Sequence, residues 1–337
     1  MTLEKLVTEM LQAVEEELQQ VVARANGPGL AELHHMLAYH LGWEGDGAGP
    51  EARGKRIRPL LVLLVSAAAG GAWQCARPAA AAIELVHNFS LIHDDIEDNS
   101  PLRRGRVTLW KKWGVPQAIN TGDAMFTLAH LAMLELEKST TPAIALQAAR
   151  ILHETCLQLT QGQFLDISYE ARGDLQLEAY WPMVKGKTAS LLAACTELGA
   201  LIASAEQPVC AAYRQFGFSL GLAFQAQDDL LGIWGDAALT GKSAESDLIS
   251  GKKSLPVLYG LSNAGPFARR WTQGMVMPEE VAALAEQLER EGARLETQNI
   301  ADRLTGEALE ALNQANPQGA AGEALRALAY RLLKRQA

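Results

Sequence analysis

Paired cysteines, a basic excess, a membrane-length apolar run and strand-like alternation are all missing from this 337-residue chain, and each absence removes a class of protein. Cys75, Cys156, Cys195 and Cys210 stand far apart with no C-x-x-C pair, which excludes the usual zinc spacings and gives no disulfide framework. Lys plus Arg total 30 against 39 Asp plus Glu, a formal net charge of −9, which argues against nucleic acid as the main partner. An anionic substrate would need a local basic patch. The longest apolar run, Leu60 to Trp73, is about fourteen residues and includes Ser66, Gly70 and Gly71, short of the roughly 18–20 needed to span a bilayer. The start, MTLEKLVTEMLQAVEEELQQ, alternates apolar and acidic residues and lacks the basic start and apolar core of a signal peptide. These features predict a cytoplasmic protein of a reducing compartment, not an integral membrane protein.

What is present is helical period. Leu3, Leu6, Val7, Met10, Leu11, Val14 and Leu18 recur at three- and four-residue spacing, and Ala and Leu dominate an apolar set that β-rich chains draw from Val, Ile, Thr and aromatics. The chain is expected to be all-α. Gly- and Pro-rich stretches at 26–29, 42–54, 99–101, 235–251 and 263–278 punctuate it without forming a long linker, so residues 1–337 are expected to form a single domain. Segments 189–204 and 211–231 are apolar around most of their circumference, as inner helices of a bundle are.

Three short matches mislead. Gly217-Phe-Ser219-Leu-Gly221 fits a nucleophile elbow but lies inside a helical apolar run, where small residues serve close packing. Gly186-Lys187-Thr188 and Gly241-Lys242-Ser243 resemble the end of a P-loop, yet the glycine required upstream is Trp181 in one and Asp236 in the other.

The informative segments are acidic. In Leu85-Val-His-Asn-Phe-Ser-Leu-Ile-His-Asp-Asp-Ile-Glu-Asp98, Asp94 and Asp98 share one helix face, where like charges repel and oppose the macrodipole at a helix C-terminus. A solvated helix end is the ordinary explanation of one such cluster. Here a second, Gln227-Asp228-Asp229, again terminates an apolar helix. Carboxylates gathered around a small cavity raise one another's pKa or demand cations, and hard oxygen ligands suit Mg²⁺. Basic residues follow each cluster: Arg103 and Arg104 after the first, Lys242, Lys252 and Lys253 after the second. Gly54-Lys55-Arg56-Ile-Arg58-Pro59 places three more cations before an apolar helix, a second anion site. His87 lies two helical turns before Asp94, on the same face, where it can donate a hydrogen bond to a phosphate.

Together, D-D-x-x-D-x-x-x-x-R-R-G at Asp94–Gly105, G-K-R-x-R-P at Gly54–Pro59 and F-Q-x-Q-D-D at Phe224–Asp229 resemble the trans-isoprenyl diphosphate synthases, the polyprenyl synthetase family. The resemblance implies a large antiparallel helical bundle around a deep apolar cavity, a homodimer, and Mg²⁺-assisted condensation of isopentenyl diphosphate with an allylic diphosphate. By position it implies that Asp94, Asp98 and Asp228 bind Mg²⁺, with Asp95 and Asp229 supporting. Arg103, Lys187, Gln227 and Lys252 would hold the allylic diphosphate, and Lys55, Arg58, His87 and Arg104 the isopentenyl diphosphate. Thr188 and Gln163 match further polar positions.

One departure is plain: the second motif is often D-D-x-x-D, and here its fifth position is Gly232, with Asp236 and Asp247 further on. Direct ligation by Asp228 alone of that motif, the favoured alternative, makes the loss tolerable; a requirement for a second carboxylate there would compromise activity. A class I terpene cyclase would not need the Gly54–Pro59 cations or Arg104, and a non-catalytic regulatory subunit would not need Asp94, Asp95 and Asp98. Phe89 and Ser90, five and four positions before Asp94, with no insertion between Asp94 and Asp98, resemble short-chain enzymes making geranylgeranyl diphosphate; farnesyl or longer products are the alternatives.

Overall fold

The computed structural model describes residues 3–170, 172–235 and 247–333. Among them the only strands are Leu102–Arg103 and Arg106–Val107, an antiparallel pair, and all other regular structure is helical, as expected. The chain divides into two compact units, one of Met1–His153, Cys195–Cys210 and Asn316–Leu325, the other of Glu154–Ala194, Ala211–Ala315 and Arg326–Ala337. No described helix is long and apolar enough to cross a membrane. All four cysteines are free thiols.

In the first unit the Leu3–Ala23, Ile57–Ala68 and Val115–Leu134 helices pack against the Arg77–Glu97 helix. Pro78 starts that helix, where its missing N–H costs nothing. Ala79, Ala80, Ala81, Ala82, Ile83, Leu85 and Val86 are all fully buried, because consecutive alanines let neighbours approach on every side. The helix stops at Asp98. Asn99 adopts the left-handed conformation, its N–H donates to Ile96 O (3.2 Å), and Ser100 N–H donates to Asp95 O (2.9 Å), a Schellman ending. Pro101 then directs the chain into the hairpin, whose two turn residues, Arg104 and Gly105, both have positive φ and so match the strands' twist.

In the second unit Ile233, Leu248, Val257, Phe267, Val276, Leu284, Leu288 and Ala293 form one core cluster. The helices expected at 189–204 and 211–231 are observed as Ser190–Ile202 and Gln207–Trp234. The first is preceded by a π-helical turn, Lys185–Ala189, an irregularity found frequently at functional positions. Gly221 has no nucleophilic-elbow role: a Cβ there would lie 2.6 Å from Ala189 Cα, so it serves close helix packing.

Candidate active site

Each Asp-Asp pair divides its labour. At the end of the Arg77–Glu97 helix Asp94 is half-buried, Asp98 exposed and Asp95 buried at 2%. The hairpin carries Arg103 back to Asp95, where Nε donates to Oδ1 at 2.7 Å. Burial pushes the Asp95 carboxyl up to about 6, although the Arg103 charge and hydrogen bond pull it down. Asp95 therefore positions Arg103.

The basic residues expected around isopentenyl diphosphate gather in the same unit, with one correction. Arg56 is buried, ion-paired to Glu15 (2.6 Å) and Glu84 (2.8 Å), and donates to Leu41 O, so it is a structural cation and not part of an anion site. Its backbone adopts the left-handed conformation at φ 47°, and of the neighbouring cations Lys55 is exposed and Arg58 half-buried. Arg58 Nη1 lies 3.2 Å from His87 Nε2. Burial, then the charges of Arg58, Arg104, Arg103 and His40, hold the His87 pKa well below its ordinary value. Arg104 donates to Ala52 O (2.9 Å) and covers Gly54, whose φ of 73° a side chain would strain and whose Cβ would lie 2.8 Å from the guanidinium carbon. Beside these, Tyr39, His40, Asp95, Arg103, Arg104 and Arg106 line a small pocket. His40 is held neutral there, its pKa lowered to about 3 by burial and then by the surrounding arginines. Arg106 is structural, donating to the carbonyls of Tyr39, Glu44 and Asp46.

The second cluster repeats the pattern. Asp228 is half-buried, while Asp229 is 1% exposed and accepts from Tyr180 OH (2.8 Å), Leu255 N–H (2.9 Å) and Gln225 Nε2 (2.8 Å). Burial and then Asp229 hold the Tyr180 pKa well above its ordinary value, so the phenol stays a donor. Gln225 accepts from Thr188 Oγ1 at 2.9 Å. Lys187 reaches Asp166 Oδ2 at 2.5 Å from the π-helical turn. That pair needs glycine at 162: a Cβ there would lie 2.1 Å from Lys187 N and 2.6 Å from Gly186 C. Gln163, half-buried, lies one turn before Asp166 on the same helix. Burial alone would lower the Lys252 pKa, but Asp229, Asp247, Asp166 and Asp228 raise it above its ordinary value.

Gln227 does not join this cluster. Its amide donates to the Leu333 carbonyl, and the glutamine turned toward Asp229 is Gln225, because residues two apart on a helix point to nearly opposite sides. Asp236 and Lys242 lie outside the described residues. Phe89 is half-buried against His93 (centroids 4.8 Å) and Phe126 (4.9 Å), and Ser90 Oγ donates to His87 O.

The residues fit the implied Mg²⁺. Among the described residues no three His, Cys, Asp or Glu side chains converge into a ready-made cage. Asp94 with Asp98, and Asp228, instead offer one or two hard oxygens each. An ion that keeps waters and takes substrate phosphate oxygens is usually held by such a set. Sequence reasoning missed Asp166, Tyr180, Gln225 and His40. Gln225 stands in the F-Q-x-Q-D-D motif and Asp166 one helical turn after Gln163, whereas Tyr180 and His40 carried no local signal.

Comparison with known proteins gives the family. The polyprenyl synthetase family profile matches residues 49–289. The chain is 42% identical over 272 residues to a (2E,6E)-farnesyl diphosphate synthase of Mycobacterium bovis, covering 78% of this chain and 75% of that one. It is 39% identical over 310 residues to a geranylgeranyl diphosphate synthase of Mycobacterium tuberculosis, covering 90% and 87%. A crystal structure of a polyprenyl synthetase from Streptomyces coelicolor A3(2) superposes with a TM-score of 0.86 at 37% identity, covering 98% and 99%.

Proposed function

The chain belongs to the polyprenyl synthetase family and is a trans-prenyltransferase, and from that we propose that it extends an allylic diphosphate with isopentenyl diphosphate, stopping at geranylgeranyl diphosphate. The observation that carries the reading is the repeated arrangement at two helix ends, where a buried, hydrogen-bonded carboxylate (Asp95, Asp229) adjoins a half-buried one (Asp94, Asp228), and Mg²⁺ is assigned to Asp94, Asp98 and Asp228. Magnesium bound there supplies positive charge to the substrate diphosphate.

The chain's own residues do the rest. Arg103, Lys187 and Lys252 hold the allylic diphosphate and stabilise it as the carbon–oxygen bond breaks and the electron pair leaves with oxygen. Arg103 is aimed by Asp95 and Lys187 by Asp166. Lys55, Arg58 and Arg104 hold isopentenyl diphosphate, with His87 fixing Arg58. The isopentenyl double bond attacks the allylic carbocation, a carbon–carbon bond forms, and loss of a proton completes a chain one isoprene unit longer. Gln227 acts on the fold through Leu333 and not on phosphate.

Chain length is set by Phe89 on the Arg77–Glu97 helix, with Ser90 beside it too small to block a tail. The Mycobacterium bovis relative supports farnesyl diphosphate as the second reading. A homodimer is part of the proposal: Leu146, Leu157 and Phe164 are 67%, 60% and 68% exposed on the Pro142–Glu170 helix. Their spacing of 11 and 7 residues places them on one face for a second copy to cover. The test is chromatography of dephosphorylated products from the purified chain with Mg²⁺, isopentenyl diphosphate and allylic primers of increasing length. Geranylgeraniol is expected, with longer products from Phe89→Ala and farnesol from Ser90→Phe. An unchanged distribution in both variants would remove Phe89 from this role, and no consumption of isopentenyl diphosphate would defeat the reading.

A further inference from the structure

Away from the acidic clusters, the first unit holds a pair of imidazoles that prenyl transfer does not use. His130 on the Val115–Leu134 helix and His153 on the Pro142–Glu170 helix stand with ring centroids 4.5 Å apart and planes at 58°. Each ring is fixed by the helix that carries it. His130 Nδ1–H donates to Phe126 O at 2.7 Å and His153 Nδ1–H to Ala149 O at 2.6 Å, since a carbonyl only accepts. In the neutral rings the lone pair is therefore on Nε2, on the side turned away from that carbonyl. Neither Nε2 has a proton to give the other, so the contact brings together two acceptors and no donor. His130 Nε2 is buried and has no hydrogen-bond partner. Burial holds the His130 pKa below its ordinary value against the pull of the Phe126 hydrogen bond, so a proton does not fill the gap at neutral pH.

We infer that His130 and His153 form a second metal site, distinct from the acidic clusters, which takes a divalent ion of the zinc and copper class on the two Nε2 atoms. The spacing fits. Two imidazoles on one ion at about 2.0–2.1 Å and roughly 90–110° to each other have centroids about 4.5–5 Å apart, and the observed separation is 4.5 Å. The supporting shell is also in place, because metal-bound histidines usually donate the other ring N–H to a carbonyl or carboxylate, as both rings do here. Imidazole nitrogen selects zinc or copper where the carboxylates of the acidic clusters suit Mg²⁺, so the two kinds of site do not compete for one ion. With two protein ligands the remaining positions are open to water, and a bound ion ties the two helices together.

The test is titration of the full-length protein with Cu²⁺ in excess Mg²⁺, which occupies the acidic clusters, followed by electron paramagnetic resonance. His153 shares a helix face with Leu146 and Leu157, seven and four residues away, so the protein is measured in the assembly it forms in solution. Wild type should bind Cu²⁺ with the hyperfine coupling of imidazole nitrogen. His153→Gln should weaken that binding about tenfold or more, at least the cost of losing a group that merely supports a metal. Because His153 is exposed, this variant should keep the circular dichroism and the product formation of wild type. His130→Gln should lose the same signal. A wild type without nitrogen-coupled Cu²⁺, or either variant binding as tightly as wild type, would overturn the inference and leave the two rings a packing contact.

Discussion

Arg58 Nη1 and His87 Nε2 are hydrogen-bonded at 3.2 Å, and because a guanidinium only donates, His87 must be neutral with its proton on Nδ1. His87 thus holds Arg58 while its Nδ1–H remains a donor. Arg58→Ala should raise the Michaelis constant for isopentenyl diphosphate about ten- to a hundredfold and that for the allylic substrate far less, since charge-assisted phosphate contacts contribute roughly 1.5–3 kcal/mol. His87→Ala should move the same constant in the same direction. Steady-state kinetics with each substrate varied would check both, and equal effects on the two substrates would refute the division of roles.

Acid should destabilise the first unit through His40. Its folded pKa of about 3 lies below the ordinary 6.5, so between those values the unfolded chain binds more protons and stability falls as pH falls. His87 adds in the same sense. Asp95 works oppositely, because its folded pKa of about 6 lies above 3.8 and the native state takes up protons first. The difference between wild type and His40→Gln in urea unfolding isolates the first effect. That difference should grow in favour of the variant from pH 7 to pH 5, and parallel pH profiles would contradict it.

Gly162→Ala should cost about 1–3 kcal/mol of stability, as overpacking does, because the nearest atoms are backbone atoms of Gly186 and Lys187 that cannot swing aside. It should also displace Lys187 from Asp166 and raise the Michaelis constant for the allylic diphosphate. A thermal melt unchanged from wild type would show the two helices have slack.

These cases mark how far the amino-acid sequence by itself specifies the structure. Helical period gave the all-α class, and Asn99 with Pro101 marked a helix end that the structure realises as a Schellman turn. Spacing along a helix placed Asp94 with Asp98 on one face. It could not say which cation of Gly54–Pro59 enters the core, because Arg56 is claimed by Glu15 and Glu84 from other helices. The same limit explains Gln225 and Gln227: a motif names both positions, but only the packing of the helix decides which faces Asp229. Tyr180, Asp166 and Asp247 meet their partners across turns and helices, where sequence separation hides the contact.

Phe164→Glu should convert a dimer to a monomer, since a charge on an apolar face opposes its burial. Light scattering after size-exclusion chromatography measures the mass directly. A wild-type monomer would refute the homodimer, and a Phe164→Glu dimer of wild-type stability would move the interface elsewhere.

Incorporation of labelled isopentenyl diphosphate by wild type, Asp94→Ala and Asp228→Ala at saturating Mg²⁺ tests most directly the claim that the two acidic clusters drive prenyl transfer. Wild type should turn over, and each variant should lose on the order of 10²-fold or more while keeping its helical circular dichroism, in keeping with removal of preorganised electrostatic stabilisation. Near-normal turnover in either variant would contradict the account.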